Sequence, residues 1–161
     1  MSRVTILTFA IVACAACAKA PEASTNAPAP GSGPLNPVLE AGTYAPALQV
    51  DLKGSTKSAT GLYYRDLVVG TGAEAAVGKQ VTAKYDGTLA DGTAVDAGTY
   101  PFILGARAVI PGWDEGIVGM KVGGKRQLII PSDLGYGPNG RLPRVPGGAT
   151  LVFMVELVAV Q

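Results

Sequence analysis

Histidine is absent from this chain of 161 residues, and only two cysteines are present. Without histidine there are no imidazole metal ligands and no catalysis by an imidazole acid or base. Cys14 and Cys17 both lie close to the N-terminus, so the rest of the chain has no disulfide, no thiolate nucleophile and no thiol metal site. We therefore expect neither a metal nor a cofactor.

An excess of charge of one sign is also missing, because 13 basic residues nearly balance 12 acidic ones. A basic patch is the usual signature of a nucleic-acid-binding protein, and the balanced charge gives no support to such a partner. Hydrophobic residues make up 48% of the chain, which suffices for the core of one modest domain. The composition thus predicts one small domain that binds no nucleic acid.

The N-terminus has the pattern of a bacterial export signal. Arg3 precedes an apolar run from Val4 to Ala13, and a run of about ten residues is too short to span a bilayer. Residues 11–14, Ile-Val-Ala-Cys, resemble the lipobox of bacterial lipoproteins, whose cysteine becomes the acylated first residue. The pattern predicts a lipid on Cys14, with Cys17 as the second candidate, and attachment to the periplasmic side of the outer membrane.

Cleavage by an ordinary signal peptidase after Ala20 is an alternative to lipidation, but Pro21 would be a poor residue after the cut.

The remaining chain divides by composition. We assign residues 1–13 to the signal peptide and 14–34, rich in Pro, Ala and Ser, to a tether. Residues 35–60 are left open: apolar side chains from Tyr44 to Leu52 could pack as an arm, whereas Ser55–Thr60 predicts a loop. The domain itself covers residues 61–161.

Short strands dominate the domain. Period-two alternation and turn residues predict five of them, at Leu62–Val69, Gln80–Leu89, Phe102–Leu104, Lys125–Ile130 and Thr150–Val160. The last is apolar on both faces, which predicts a central strand covered on both sides. Asp86-Gly87 and Asp91-Gly92 are typical turn dipeptides. With a single short helix, the predicted class is α+β, an antiparallel sheet with a helix on one face.

That helix contains the only tryptophan of the chain. Pro111 suits the first helical turn, and the carboxylates of Asp114 and Glu115 favour the positive end of the helix dipole. Trp113, Ile117 and Met120 have the spacing of one apolar face. From these residues alone, Trp113 either plugs the core or floors an apolar pocket.

Five ordered motifs resemble FKBP-type peptidyl-prolyl cis-trans isomerases, in the form of a bacterial lipoprotein. They are Val81–Gly87, Asp91-Gly92 through Asp96, Val109–Gly116, Tyr136-Gly137 and Ala149–Phe153. The resemblance implies a bent antiparallel sheet of about five strands wrapped around the Trp113 helix. It also implies rotation of Xaa-Pro bonds in client proteins, with macrolides as possible inhibitors.

The resemblance further implies the residues of the site. Asp96 and Tyr136 would be its catalytic polar rim, and the Ile110 N–H and the Tyr136 hydroxyl would hydrogen-bond substrate carbonyls. The substrate-binding pocket would be formed by Tyr85, Val95, Tyr100, Val109, Ile110, Trp113 and Phe153.

Three positions depart from the family pattern. Val95 stands where relatives usually have a bulky aromatic residue, so we expect a roomier pocket. Arg141 and Arg144 make the loop between Gly137 and Gly148 basic, which favours acidic residues beside the proline. The leading hypothesis is an exported isomerase that assists folding of envelope proteins. The alternative is a chaperone or docking lipoprotein that binds proline segments with little turnover.

Overall fold

The computed structural model describes residues 43–161, so the predicted signal peptide, both cysteines and the tether lie outside the described residues. One six-stranded sheet has the order β1-β2-β5-β6-β3-β4, and every neighbouring pair is antiparallel. The elements are β1 Thr56–Lys57, β2 Tyr63–Val68, β3 Gln80–Leu89, β4 Ala94–Ile103, α1 Pro111–Gly116, β5 Lys125–Ile130 and β6 Leu151–Val160, with 3-10 turns at Pro46–Leu48 and Ser132–Leu134. The predicted class is confirmed, with one additional strand.

Strand β6 is central, as its sequence predicts, because it pairs with both β3 and β5. Its inward side chains Leu151, Phe153, Val155 and Leu157 are buried in the main core. On the other face Val152 is buried, but Met154 and Val158 are 40% and 47% exposed. The prediction of cover on both sides is therefore wrong beyond Val152, since no described element packs over the later part of that face.

The segment before β1 crosses the outer face of the sheet. Tyr44, Leu48, Val50 and Leu52 pack against a second apolar cluster formed by Tyr63, Ile129 and Val152. The Gln127 amide donates to the Leu48 carbonyl at 2.7 Å, and the Ala45 N–H donates to the Ala90 carbonyl at 2.9 Å. Residues 43–57, which we call the arm, thus join the β1 edge to the β3–β4 turn, while residues 35–42 of the predicted 35–60 segment lie outside the described residues. The loop predicted for Ser55–Thr60 is wrong at β1, whose two residues pair with Tyr63 and Tyr64.

Tyr44 provides a test of arm docking. Burial, together with the nearby Tyr63, raises its pKa from 10.0 to about 12. Because the folded state disfavours the phenolate, stability from Tyr44 is intact below pH 10 and is lost as the pH rises towards 12. Urea unfolding at pH 8 to 12 should therefore show a steeper alkaline loss for the wild type than for Tyr44→Phe. Equal slopes for the two proteins would contradict a docked Tyr44.

Strand β4 is much longer than the predicted Phe102–Leu104. It is an edge strand, exposed at most positions, so it has no apolar alternation to reveal it. The edge position also tolerates Pro101 inside the strand. The turn predicted at Asp86-Gly87 is wrong as well, because both residues lie within β3. The turn at Asp91-Gly92 is confirmed, with Gly92 at φ +88°.

Two charged side chains hold α1 in place. At its start, the Asp114 carboxylate accepts hydrogen bonds from the Gly105 and Arg107 N–H groups, each at 2.9 Å, and so fixes the preceding loop. At its end, Arg126 from β5 donates to the Gly116 carbonyl at 2.8 Å. Arg126 also forms a bidentate pair with Asp66, at 2.6 and 2.9 Å. The helix that carries Trp113 is therefore pinned at both ends.

Candidate functional site

Trp113 forms the floor of a cavity beside α1. Its indole is 5% exposed and meets the rings of Tyr85 and Phe153 edge-on, with centroids 4.9 and 5.3 Å apart. Phe102 supports it from the side at 5.9 Å. These contacts fix the ring in one orientation, which is the geometry that edge-to-face aromatic pairs prefer. Ile117 and Met120 are buried with it, but both follow Gly116, the last residue of α1, so the predicted single helical face is wrong.

The cavity has a volume of about 590 Å³ and collects residues from four elements and two loops. All nine predicted site residues line it: Tyr85, Val95, Asp96, Tyr100, Val109, Ile110, Trp113, Tyr136 and Phe153. Three further residues, Ala108, Pro111 and Arg141, complete the lining. The structure brings the nine residues to one place, and their individual roles stay predictions.

Tyr85 and Asp96 form the polar pair of the cavity. The Tyr85 hydroxyl donates to Asp96 Oδ2 at 2.9 Å. Antiparallel pairing of β3 and β4 sets this contact, with Tyr85 opposite Gly98 and Asp96 opposite Gly87. Partial burial and the hydrogen bond with the Asp96 carboxylate raise the pKa of Tyr85, so the phenol stays protonated beyond its usual range. The Asp96 carboxylate thus orients the Tyr85 hydroxyl.

Tyr136 and Arg141 face each other at the opposite rim. The Arg141 guanidinium lies 5.8 Å from the centroid of the Tyr136 ring, and its Nη1 is 3.5 Å from the Tyr136 hydroxyl. This contact raises the pKa of Arg141, which keeps its positive charge at any ordinary pH. The loop that carries Arg141 closes on itself, since Arg141 and Val145 exchange backbone hydrogen bonds of 2.8 and 3.0 Å.

Sequence reasoning missed the part that Phe102 plays. Its ring is 5% exposed and packs against both Tyr100 and Trp113 without lining the cavity. The alternation of Tyr100 and Phe102 on β4 was the available signal, since side chains two apart point to the same face. That signal was lost because the predicted strand began only at Phe102.

Removing the Tyr85 hydroxyl tests the polar pair. Tyr85→Phe loses the hydrogen bond to Asp96, and we expect catalytic efficiency on a proline peptide to fall by roughly two- to tenfold, the range of one net hydrogen bond. Tyr64→Phe is the matched control, because Tyr64 lies on β2 and does not line the cavity. Thermal melting of both variants reports the fold separately. An unchanged rate for Tyr85→Phe would show that the pair has no part in turnover.

Residues 43–161 have neither a cluster of metal ligands nor a helix that could span a membrane. No group of three or more histidine, cysteine, aspartate or glutamate side chains is placed to hold a metal ion there. No helix in the same range has the length and apolar character needed to cross a bilayer.

One sheet packed on one short helix, with an aromatic-floored cavity beside that helix, defines an α+β binding protein whose cavity suits a small apolar ring. The sequence profile of the family "FKBP-type peptidyl-prolyl cis-trans isomerase" matches residues 72–158. The chain belongs to this family, and the family and fold predicted from its motifs are confirmed.

Curated relatives and solved structures agree with that assignment. An FK506-binding protein of Neisseria meningitidis serogroup B is 48% identical over 105 residues, covering 62% of this chain and 96% of that protein. FK506-binding protein 4 of Dictyostelium discoideum is 50% identical over 103 residues, 62% of this chain. The crystal structure of FkpA from Escherichia coli aligns with a TM-score of 0.62 and 41% identity, covering 68% of this chain and 52% of that one.

The fraction of a relative's length that this chain spans differs from one relative to the next. The chain spans 28% of the Dictyostelium protein and 58% of the isomerase FKBP15-1 of Arabidopsis thaliana. AtFKBP13, by contrast, is covered over 98% of its structure, at a TM-score of 0.62 and 34% identity. The common part is therefore the isomerase domain, and the arm begins before the residues that the family profile matches.

Proposed function

We propose that this chain is a peptidyl-prolyl cis-trans isomerase that rotates Xaa-Pro bonds in exported or envelope proteins and so assists their folding. The observation that carries the proposal is the cavity floored by Trp113, whose wall holds the Tyr85–Asp96 pair. An apolar floor suits the proline ring, and a polar rim suits the carbonyls that flank it.

Rotation about an Xaa-Pro bond is a reaction that a domain without histidine or cysteine can catalyse. The barrier to rotation about a peptide bond is about 18–20 kcal/mol and comes from amide resonance. Its crossing breaks no covalent bond, so it requires no nucleophile and no redox group. The planar amide is more dipolar than the twisted one, because twisting removes the charge-separated resonance form. A cavity that excludes water around the imide therefore favours the twisted state.

Two donors would hold the peptide while it rotates. The Ile110 N–H makes no hydrogen bond within residues 43–161, although Ile110 lines the cavity. The Tyr136 hydroxyl lies at the opposite rim, where it contacts only the side chain of Arg141 among the described hydrogen bonds. Donors fixed in position on both sides of a proline would orient its carbonyls at little entropic cost. Asp96 contributes by orienting Tyr85, with no proton transfer.

A proline peptide assay tests the proposed activity. Cis-to-trans exchange of an Ala-Leu-Pro-Phe peptide should be faster with the full chain than without it, in proportion to protein concentration. A rate equal to the spontaneous one would overturn the isomerase proposal. If the peptide still binds in that case, the alternative of a proline-binding chaperone or docking protein gains support. Val95 is the feature that favours the alternative, because a valine fills less of the cavity wall than an aromatic ring.

We also propose that the chain is lipidated on Cys14 and held at the bacterial envelope, on the periplasmic side of the outer membrane. The support is the apolar run and lipobox-like residues of the N-terminus. Radioactive palmitate should label the wild type and Cys17→Ser but not Cys14→Ser. Label that persists in Cys14→Ser and disappears in Cys17→Ser would move the site to Cys17. Membrane fractionation of the same strains locates the protein.

The same cavity is a candidate site for macrolides. Two Neisseria relatives carry the name FK506-binding protein, and we propose that the macrolide FK506 competes with proline peptides for the cavity of this chain. Quenching of the fluorescence of Trp113, the only tryptophan, would report its binding directly.

A further inference from the structure

The rim of the cavity has three charged side chains whose charges do not cancel. Asp96 is the only carboxylate among the residues that line the cavity, and Arg141 lines it as well. Arg144 approaches Asp96 from the same loop as Arg141. One negative and two positive charges leave a surplus positive charge at this side of the mouth.

Arg144 is already committed to partners within the protein. Its Nη1 lies 3.7 Å from Asp96 Oδ1 and 3.4 Å from the Val95 carbonyl oxygen, to which it donates. The Asp96 carboxylate therefore offsets the charge of Arg144, although the pair is largely open to solvent. A ligand carboxylate that approached Arg144 would be repelled by Asp96.

Arg141 is in the opposite situation. Within residues 43–161 it forms no ion pair with any carboxylate, and its described partner is the neutral Tyr136 hydroxyl. Its backbone is nevertheless restrained by the hydrogen bonds with Val145, and its guanidinium lies within cation–π distance of the Tyr136 ring, 5.8 Å from the centroid. An arginine held in place without an anionic partner can bind a carboxylate with little loss of freedom.

A second, smaller cavity lies beside this arginine. It has a volume of about 240 Å³ and is lined by Val95, Asp96, Tyr136, Arg141, Leu142, Pro143, Arg144 and Val145. Four of these residues, Val95, Asp96, Tyr136 and Arg141, also line the main cavity. The two cavities therefore adjoin, and Arg141 belongs to the lining of both.

We propose that Arg141 is a specificity-determining residue that binds the carboxylate of a glutamate or aspartate next to the substrate proline. The preferred clients are then segments with an acidic residue beside the proline. This inference rests on the proposed use of the cavity for proline segments, and it adds the substrate class that the cavity selects.

The test compares peptides that differ in one charge. Pairs with glutamate or glutamine directly before or directly after the proline are measured with the full chain. NMR exchange spectroscopy gives turnover, and Trp113 fluorescence gives binding independently of turnover. For at least one pair we expect the wild type to favour glutamate by about two- to fivefold, the range of an exposed ion pair. The ratio should fall to about one in Arg141→Gln, stay above one in Arg141→Lys, and shrink in 1 M salt.

Arg107→Gln is the matched control, since it removes an equal charge from the loop before α1 and Arg107 does not line the main cavity. An equal fall of the ratio in Arg107→Gln and Arg141→Gln would overturn the assignment to Arg141. A wild-type ratio of one in both turnover and binding overturns the inference, while activity on neutral peptides leaves the proposed function intact. If the wild type binds the glutamate peptides more tightly but catalyses no exchange, the isomerase proposal fails and the acidic specificity stands.

Discussion

Replacing Trp113 with leucine is expected to lower catalytic efficiency on a proline peptide by at least about tenfold, equivalent to about 1.4 kcal/mol of transition-state stabilisation. Leucine keeps an apolar side chain on α1 but removes the flat ring that three aromatic side chains hold in place. The floor of the cavity would drop, so water could reach the imide and the twisted state would lose its dry surroundings. A protease-free exchange assay at limiting substrate measures the effect.

A stability control is required, because Trp113 is also part of the core. Leu104→Ala is suitable: Leu104 is fully buried in the same cluster and does not line the cavity. We expect it to cost about 2–5 kcal/mol of unfolding free energy, while activity per folded molecule is retained. If Trp113→Leu behaved like Leu104→Ala, losing stability but not activity per folded molecule, Trp113 would be a core residue alone.

Replacing Gly87 with alanine is expected to destabilise the protein by about 1–3 kcal/mol or more and to reduce activity as well. A Cβ on Gly87 would overlap the Phe153 ring, whose Cε1, Cδ1 and Cζ are its nearest atoms. Phe153 lies opposite Gly87 in the pairing of β3 with β6 and forms part of the cavity wall. The ring must therefore move, and its edge-on contact with Trp113 moves with it. Urea unfolding and the exchange assay measure the two effects.

Gly98→Ala is the matched control for that substitution. Gly98 lies on β4 opposite Tyr85, and a Cβ there would meet its nearest atom, the Tyr85 hydroxyl oxygen, only at 3.7 Å. The same added methyl group should change stability by no more than about 1 kcal/mol, because it makes only ordinary van der Waals contacts and reduces chain entropy in the unfolded state. The Phe153→Leu background supplies a second control: if Gly87→Ala cost the same stability there, the clash with the ring could not be its cause.

The strands predicted correctly are those with a clear local signal, which is alternation in β3 and an apolar run in β5 and β6. Strands β3 and β5 begin and end where their sequences predict, and β6 is central as expected. Strand β1 and most of β4 escaped prediction, since β1 has two exposed residues and β4 is an exposed edge. Both strands are stabilised by pairing with the next or the preceding strand, β1 with β2 and β4 with β3, and an exposed strand of this kind has no apolar pattern from which it could be predicted.

For the site, sequence motifs identified residues that line the cavity, and the fold determined which of them contact one another. Trp113, Asp96 and Tyr136 were found through motifs, and all of them line one cavity. The contact of Tyr85 with Asp96 depends on the register between β3 and β4. The difference between Arg141 and Arg144 depends on loop geometry, because only Arg144 reaches the Asp96 carboxylate. Neither distance follows from spacing along the chain.

By itself, the sequence determined the fold class through alternation and turn residues. Its ordered motifs determined the family and nine of the twelve residues that line the cavity, because all of these signals are local properties of a chain. Only the tertiary structure decided that the arm lies across the sheet, that Phe102 supports Trp113, and that Arg141, unlike Arg144, forms no ion pair with a described carboxylate. The physical reason is that packing and ion pairing depend on distances between residues far apart in sequence, which arise only when the strands pair.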